Sequence, residues 1–420
     1  AVLRSRVPGP AEHSANGSWL RRSNVFGINV RTVGDFWKAF VYTLTLPPIY
    51  DSIHLLPVWE PGVVGSLYGI ASWEINEEFL STDFAAAFPQ LDTPARQLKA
   101  VCNLLHLTGR NVGMDVIPHT DRYSEIVLAN PFLFEWLVRR DLHIVDHSAD
   151  LHEVAQDRIY EFLLETGPST TDIEMPPKGL FFSDQVDEAT RTRLLFGEPH
   201  QREKRTNRRT TLVRRLHELG LEPVPATMAP PYRGLEVDPE NHTVDHHGDL
   251  WHEYRITHPE SMSRVFGPLT RYKLYERIND NLDWEIDFTR PRHRVWDYVT
   301  ERYAAIQRAF GFDFMRGDMA HVQMRPSGTP ATPTTHYDIL NAIKRKAGES
   351  APHFAYFAET FLAPPNTMTY GNELDHLEVS EAEVTLGNLQ SIPPEDPGFS
   401  CTLRRYLDIR SARSVSPSFT

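Results

Sequence analysis

Apolar residues recur along this chain with two periods, and twice a helical period runs through a glycine straight into an alternating one. Residues 93–108 set Leu98, Val101, Cys102 and Leu105 at helical spacing. Thr93 supplies an N-cap, Pro94 a first helical position and Gly109 a stop. The next stretch, 111–120, alternates: Val112, Met114 and Val116 take one face, and Asp115, Ile117 and His119 take the other. Residues 291–310 repeat the helix through Val295, Val299, Tyr303, Ile306 and Phe310, closed by Gly311. Residues 311–318 then alternate, with Phe312, Phe314, Arg316 and Asp318 on one face. Helix–glycine–strand units of this kind build parallel α/β sheets and barrels.

Shorter patterns extend the series. Strands are expected at 25–32, 52–60, 353–361 and around 383–386, with amphipathic helices at 34–43 and 337–347. Residues 1–24 lack periodicity and read as loop. From 123 to 290 the pattern loosens; helices are expected at 129–141, 154–167 and in the very basic 201–220, and a strand at 222–228. The resulting fold class is α/β, a TIM-type (β/α)8-like barrel with a large insertion after the third strand. Residues 1–122 would form the barrel's first part, 123–290 an insertion or subdomain, and 291–420 the second part. About six strands are convincing and a closed barrel needs two more, so closure at the C-terminal side stays open.

Composition narrows the function classes. The 420 residues are 40% hydrophobic and 24% charged, ordinary globular usage that can bury a large core. A formal net charge of -13 argues against a nucleic-acid partner, which favours a basic surface. Two cysteines, Cys102 and Cys401, form neither a disulfide framework nor a zinc spacing, so a cytoplasmic, reducing setting is the default. No apolar run is long enough for a bilayer-spanning helix.

The chemistry collects at strand ends. The strand at 311–318 finishes in Arg316 and Asp318, with His321 beyond. Asp115 and His119 close the strand at 111–120, Glu359 closes that at 353–361, and Tyr68 lies in the loop after the second strand. Parallel α/β barrels build their sites at the C-terminal strand ends. Adjacent strands lie about 4.8 Å apart, so Asp318 and Glu359 could sit about 5 Å apart, the separation of a retaining glycosidase pair. Arg316 would favour an ionised Asp318, suited to nucleophilic attack, and partial desolvation would raise the pKa of Glu359, as an acid needs. A structural ion pair at a strand end gives the same local pattern.

These residues, in this order, resemble the signatures of the α-amylase superfamily of retaining glycoside hydrolases and transglycosylases. Asp115 and His119 match its Asp-then-His signature, Arg316 and Asp318 its Arg-x-Asp nucleophile strand, Glu359 its acid/base, and Tyr68 its aromatic platform. The resemblance implies catalysis by Asp318 and Glu359, with Tyr68, Asp115, His119, Arg316 and His321 holding an oligosaccharide or α-glucan substrate. It implies no cofactor. Two departures stand out. Pro118 occupies the place of an Asn that often ligates calcium, so no metal is expected there, and His321 falls three residues after Asp318 rather than four. The family's last signature, His-Asp, is not found; Asp375-His376 has the reverse order. Phosphorylase-type glucosyl transfer and a non-catalytic carbohydrate-binding barrel remain open alternatives.

Other features have bland readings beside functional ones. Asp238, His242, Asp245, His246, His247 and Asp249 could bind a metal or form a solvated turn. The arginines of 201–215 could meet phosphate or form a salt-bridged face. Trp59, Trp73 and Trp251 could stack on sugars or pack in the core.

Overall fold

The computed structural model describes residues 5–62, 65–225, 233–244, 248, 250–258, 269–279, 286–318, 320, 325, 328–360, 373–387, 404 and 408. Its centre is a six-stranded sheet: β1 (Val25–Ile28), β2 (Ser52–Leu55), β3 (Asn111–Val116), β4 (Phe314–Gly317), β5 (Ala355–Thr360) and β6 (Val384–Gly387). All five pairings are parallel and the spatial order equals the chain order. A sheet that never reverses its order winds one way, as barrel strands do, and has no switch point of the doubly wound kind. Among the described residues no further strand joins these six.

Helices α1 (Phe36–Thr45), α2 (Pro94–Leu107), α3 (His293–Phe310), α4 (Ile339–Gly348) and α5 (Glu373–Val379) precede β2 to β6 in turn. The Thr93 hydroxyl accepts from Arg96 N, as an N-cap does. Gly311 ends α3 in the left-handed region at φ 82°, which lets the chain enter β4 at once. Val112, Met114, Met315, Tyr356 and Ala358 face the helices and join the main core. The opposite, concave face carries Gly27, His54, Gly113, Phe314 and Ala355 in one register row, with Asp115, Arg316 and Phe357 in the next. Residues Gly17–Arg22, expected as loop, form a 3-10 turn that sets Leu20 and Trp19 against Phe314, Ala355 and Phe357. The apolar floor thus lies toward the strands' N-terminal ends, and the charged rows sit above it.

Strands are shorter than the apolar runs that announce them. Past β1, Asn29 caps the single helical turn Val30–Val33; past β2, Trp59–Pro61 pairs antiparallel with Ile70–Ile75. His119–Asp121 likewise leaves the sheet to pair with Leu269–Arg271. Between β3 and α3, the helices Leu151–Thr166 and Arg202–Glu218 form where expected. The helix expected at 129–141 is absent: Trp136–Arg140 is a strand, paired with His143–Asp146 and Leu221–Pro223. Asp141 turns that hairpin at φ 50°, and pairing along both edges, not side-chain spacing, sets the strand. No helix among the described residues is long and apolar enough to cross a membrane.

Candidate active site

Strand register brings the charged residues together. Arg316 on β4 lies opposite Asp115 on β3 and Phe357 on β5, and Gly317 opposite Ala358 puts Asp318 and Glu359 at the next level. Arg316 Nη1 donates to Asp115 Oδ1 at 2.6 Å and to Asp318 Oδ1 at 2.9 Å, while Nη2 lies 2.6 Å from Glu359 Oε1. One guanidinium therefore ties three carboxyl groups on three adjacent strands. Tyr68 reaches in from the turn before Ile70–Ile75: its hydroxyl lies 3.5 Å from Asp115 Oδ2 and 3.4 Å from Arg316 Nη1, with the guanidinium 5.6 Å from the ring centre.

The carboxyls differ in environment. Burial works against ionisation of Asp115, but His54 and Arg316 outweigh it and hold the group below the usual carboxylate range. Asp318 goes the other way: burial pushes it well up against the pull of Arg316, and Glu359 and Asp115 push in the same direction. This corrects the expectation that Arg316 alone would keep Asp318 ionised, because two further carboxyls share that one cation. Asp318 and Glu359 are both held by the Arg316 guanidinium, and the nearby Glu359 carboxyl is one of the groups that push Asp318 up. The Glu359 side chain is 23% exposed against 7% for Asp318, so Glu359 is the solvent-facing member.

His119 lies in the same neighbourhood. Burial lowers its pKa to about 4, so the ring is neutral at pH 7; it hydrogen-bonds the Tyr68 backbone, and its buried Nε2 has no partner among the described residues. Five expected residues are thus brought together with Glu359: Tyr68, Asp115, His119, Arg316 and Asp318. His321 lies outside the described residues. One contributor escaped the sequence reading. His54 sits on β2 with Nε2 3.2 Å from Asp115 Oδ2. Its signal was present: a lone polar residue inside the apolar run of 52–60, on the face that β2 shares with Asp115.

The remaining candidates resolve differently. Trp59 and Trp73 pack edge to face, and Trp73 also packs on Tyr303 and donates to Tyr298 Oη, so both belong to the core. Only the backbone of Trp251 is described, in the strand Leu250–His258. Of the proposed metal cluster, Asp238 and His242 lie in the strand Arg233–Val244, while Asp245, His246, His247 and Asp249 fall outside the described residues. No metal-competent group of three occurs among the described residues. In the basic helix, Arg205 pairs with buried Glu125, Arg202 with Glu60 and Arg215 with Glu165. His376 is buried in α5 against Tyr337, away from the site.

No protein-family model matches the chain, and no curated protein does. Solved structures do match. An α-amylase from Lactobacillus plantarum is 13% identical, with a TM-score of 0.42 over 95% of this chain and 61% of that one. A cyclic α-maltosyl-(1→6)-maltose hydrolase from Arthrobacter globiformis is 9% identical, with a TM-score of 0.41 over 94% and 63%. A debranching enzyme from Nostoc punctiforme is 9% identical, with a TM-score of 0.39 over 94% and 62%. The chain spans about three fifths of the length of these structures. Enzymes of the α-amylase family recur among the matches, the family whose signatures Asp115, His119, Arg316, Asp318 and Glu359 resemble.

Proposed function

We propose that this chain is a divergent α-amylase superfamily protein that cleaves or transfers α-glucosyl groups with retention of configuration. The observation that carries the reading is the convergence of Asp318 and Glu359, from adjacent strands, on the guanidinium of Arg316. A retaining enzyme needs one carboxylate and one carboxylic acid on neighbouring supports, and two carboxyls at one level of adjacent strands supply the pair. When a sugar enters, the proton rests on Glu359 and Asp318 attacks the anomeric carbon. The bond to the leaving oxygen breaks as Glu359 protonates that oxygen, and a covalent glucosyl–Asp318 ester forms. Glu359, now ionised, takes a proton from water or an acceptor sugar, whose oxygen displaces Asp318 and restores the starting configuration. Arg316 balances the charge that moves between the two carboxyls. Asp115, His119 Nε2 and Tyr68 bind the sugar's hydroxyls and its apolar face, and the substrate is an oligosaccharide or α-glucan. The segment 123–290 forms the subdomain beside this mouth.

Hydrolysis, transglycosylation and phosphorolysis share these steps and differ in the acceptor. Release of 4-nitrophenol from its α-glucoside, and turnover of maltose and sucrose with and without phosphate, separate the three. Asp318→Asn and Glu359→Gln should each lower kcat/KM by about three orders of magnitude. Unchanged turnover in Asp318→Asn would sink the assignment. The burial of Asp318 favours one second reading, a barrel that binds sugar without turnover; calorimetric binding of maltose by wild type with no product in any assay identifies it.

A further inference from the structure

One guanidinium serves three carboxyls, Asp115, Asp318 and Glu359. Burying a carboxylate oxygen without a partner is costly. His54 Nε2 lies 3.2 Å from Asp115 Oδ2, the oxygen that Arg316 does not take. The contact is at ion-pair distance but poorly aligned as a hydrogen bond.

The fold fixes this ring. It lies edge-on to Phe357 with centres 5.5 Å apart and tilted on Phe314 at 6.5 Å. Gly27 and Gly113 are its register partners on either side. A Cβ on Gly27 would come within 3.8 Å of His54 Nδ1, and one on Gly113 would enter the Phe314 ring. The two glycines and two phenylalanines hold the imidazole on the face it shares with Asp115, which is the charged group it contacts among the described residues.

We propose that His54 is a positioning residue for the glucosyl-transfer site. Its imidazole engages Asp115 Oδ2, so that Arg316 is left free to bridge Asp318 and Glu359. Without it, Asp115 draws Arg316 inward, away from Asp318 and Glu359. The proposal rests on the functional reading above for its consequence, but the His54–Asp115 coupling stands on geometry alone.

A double-mutant cycle tests it. His54→Phe, His54→Gln, Asp115→Asn and the His54→Phe/Asp115→Asn double variant are compared on 4-nitrophenyl α-glucoside. His54→Phe should lower kcat/KM by about tenfold or more, mainly in kcat, the size expected when one partner of a buried charge contact is lost. His54→Gln, which keeps a donor, should recover part of it. In the Asp115→Asn background His54→Phe should cost nothing further. Losses that multiply in the double variant, or equal losses for Phe and Gln, would overturn the proposal. Unfolding midpoints provide the same cycle without turnover. A lowered Asp115 pKa gives stability that is present above the ordinary carboxylate range and lost as pH falls through the folded value. The gap between wild type and His54→Phe should therefore narrow as pH falls from the ordinary carboxylate range downward, and show no such narrowing in the Asp115→Asn background. If wild type turns over no substrate, the functional reading fails, while a pH-independent gap would still reject the coupling.

Discussion

At the scale of single residues, Arg316 carries the site and Asp318 bears its cost. Arg316→Met would leave the carboxyls around it without their main counter-ion, and breaking a buried ion pair in this way typically costs about 3–5 kcal/mol. Chemical denaturation at pH 7 should show that loss together with loss of activity. Asp318 behaves oppositely. Its folded pKa is raised, so the native state binds more protons than the unfolded one, and stability falls as pH rises from the ordinary carboxylate range toward the folded value. Asp318→Asn removes that penalty. The inactive variant should melt above wild type at pH 7 and lose this advantage near pH 4; a lower midpoint at pH 7 would count against the raised pKa. Most of the cluster was legible in the sequence, because strand alternation alone set Arg316 and Asp318 on one face and Asp115 on its counterpart. The direction of the Asp318 shift was not, since it depends on how many carboxyls share one guanidinium, and that count requires register.

At the scale of elements, the concave face depends on a size match across β3 and β4. Gly113 leaves room for the Phe314 ring, and a Cβ there would lie 2.2 Å from Phe314 Cε2. Gly113→Ala must displace that ring or the strand, a kind of overpacking that costs about 1–3 kcal/mol. Thermal melts should show the loss, and activity should fall further than stability, because Phe314 lies two residues before Arg316 on the same face. The helix–glycine–strand units around β3 and β4 were readable because caps, periodicity and stop residues agree there. The segment 129–141 misled, since its apolar run satisfies a helix and a strand equally and only pairing with Leu221–Pro223 decides between them. The short pairings after β2 and β3 were invisible for the same reason: their partners, Ile70–Ile75 and Leu269–Arg271, lie elsewhere in the chain.

At the scale of the whole molecule, the singly wound sheet and the segment between β3 and α3 share one core. Ile53, Val116 and Tyr303 belong to the same buried cluster as Ile159, Leu195 and Leu212. A shared core of this kind predicts one cooperative unfolding transition in calorimetry, with calorimetric and van't Hoff enthalpies in agreement; two separated transitions would show that 123–290 folds as an independent unit. The same architecture places β3, β4 and β5 side by side, so that Asp115, Asp318 and Glu359 converge although they come from distant parts of the chain. Whether that convergence performs double displacement is tested most directly by trapping the ester. Incubation with 5-fluoro-α-glucosyl fluoride, followed by intact-mass measurement and peptide mapping, should add one fluoroglucosyl group to the protein on the peptide that carries Asp318. A label on another residue, or no label on a chain that turns over α-glucosides, would contradict Asp318 as the nucleophile.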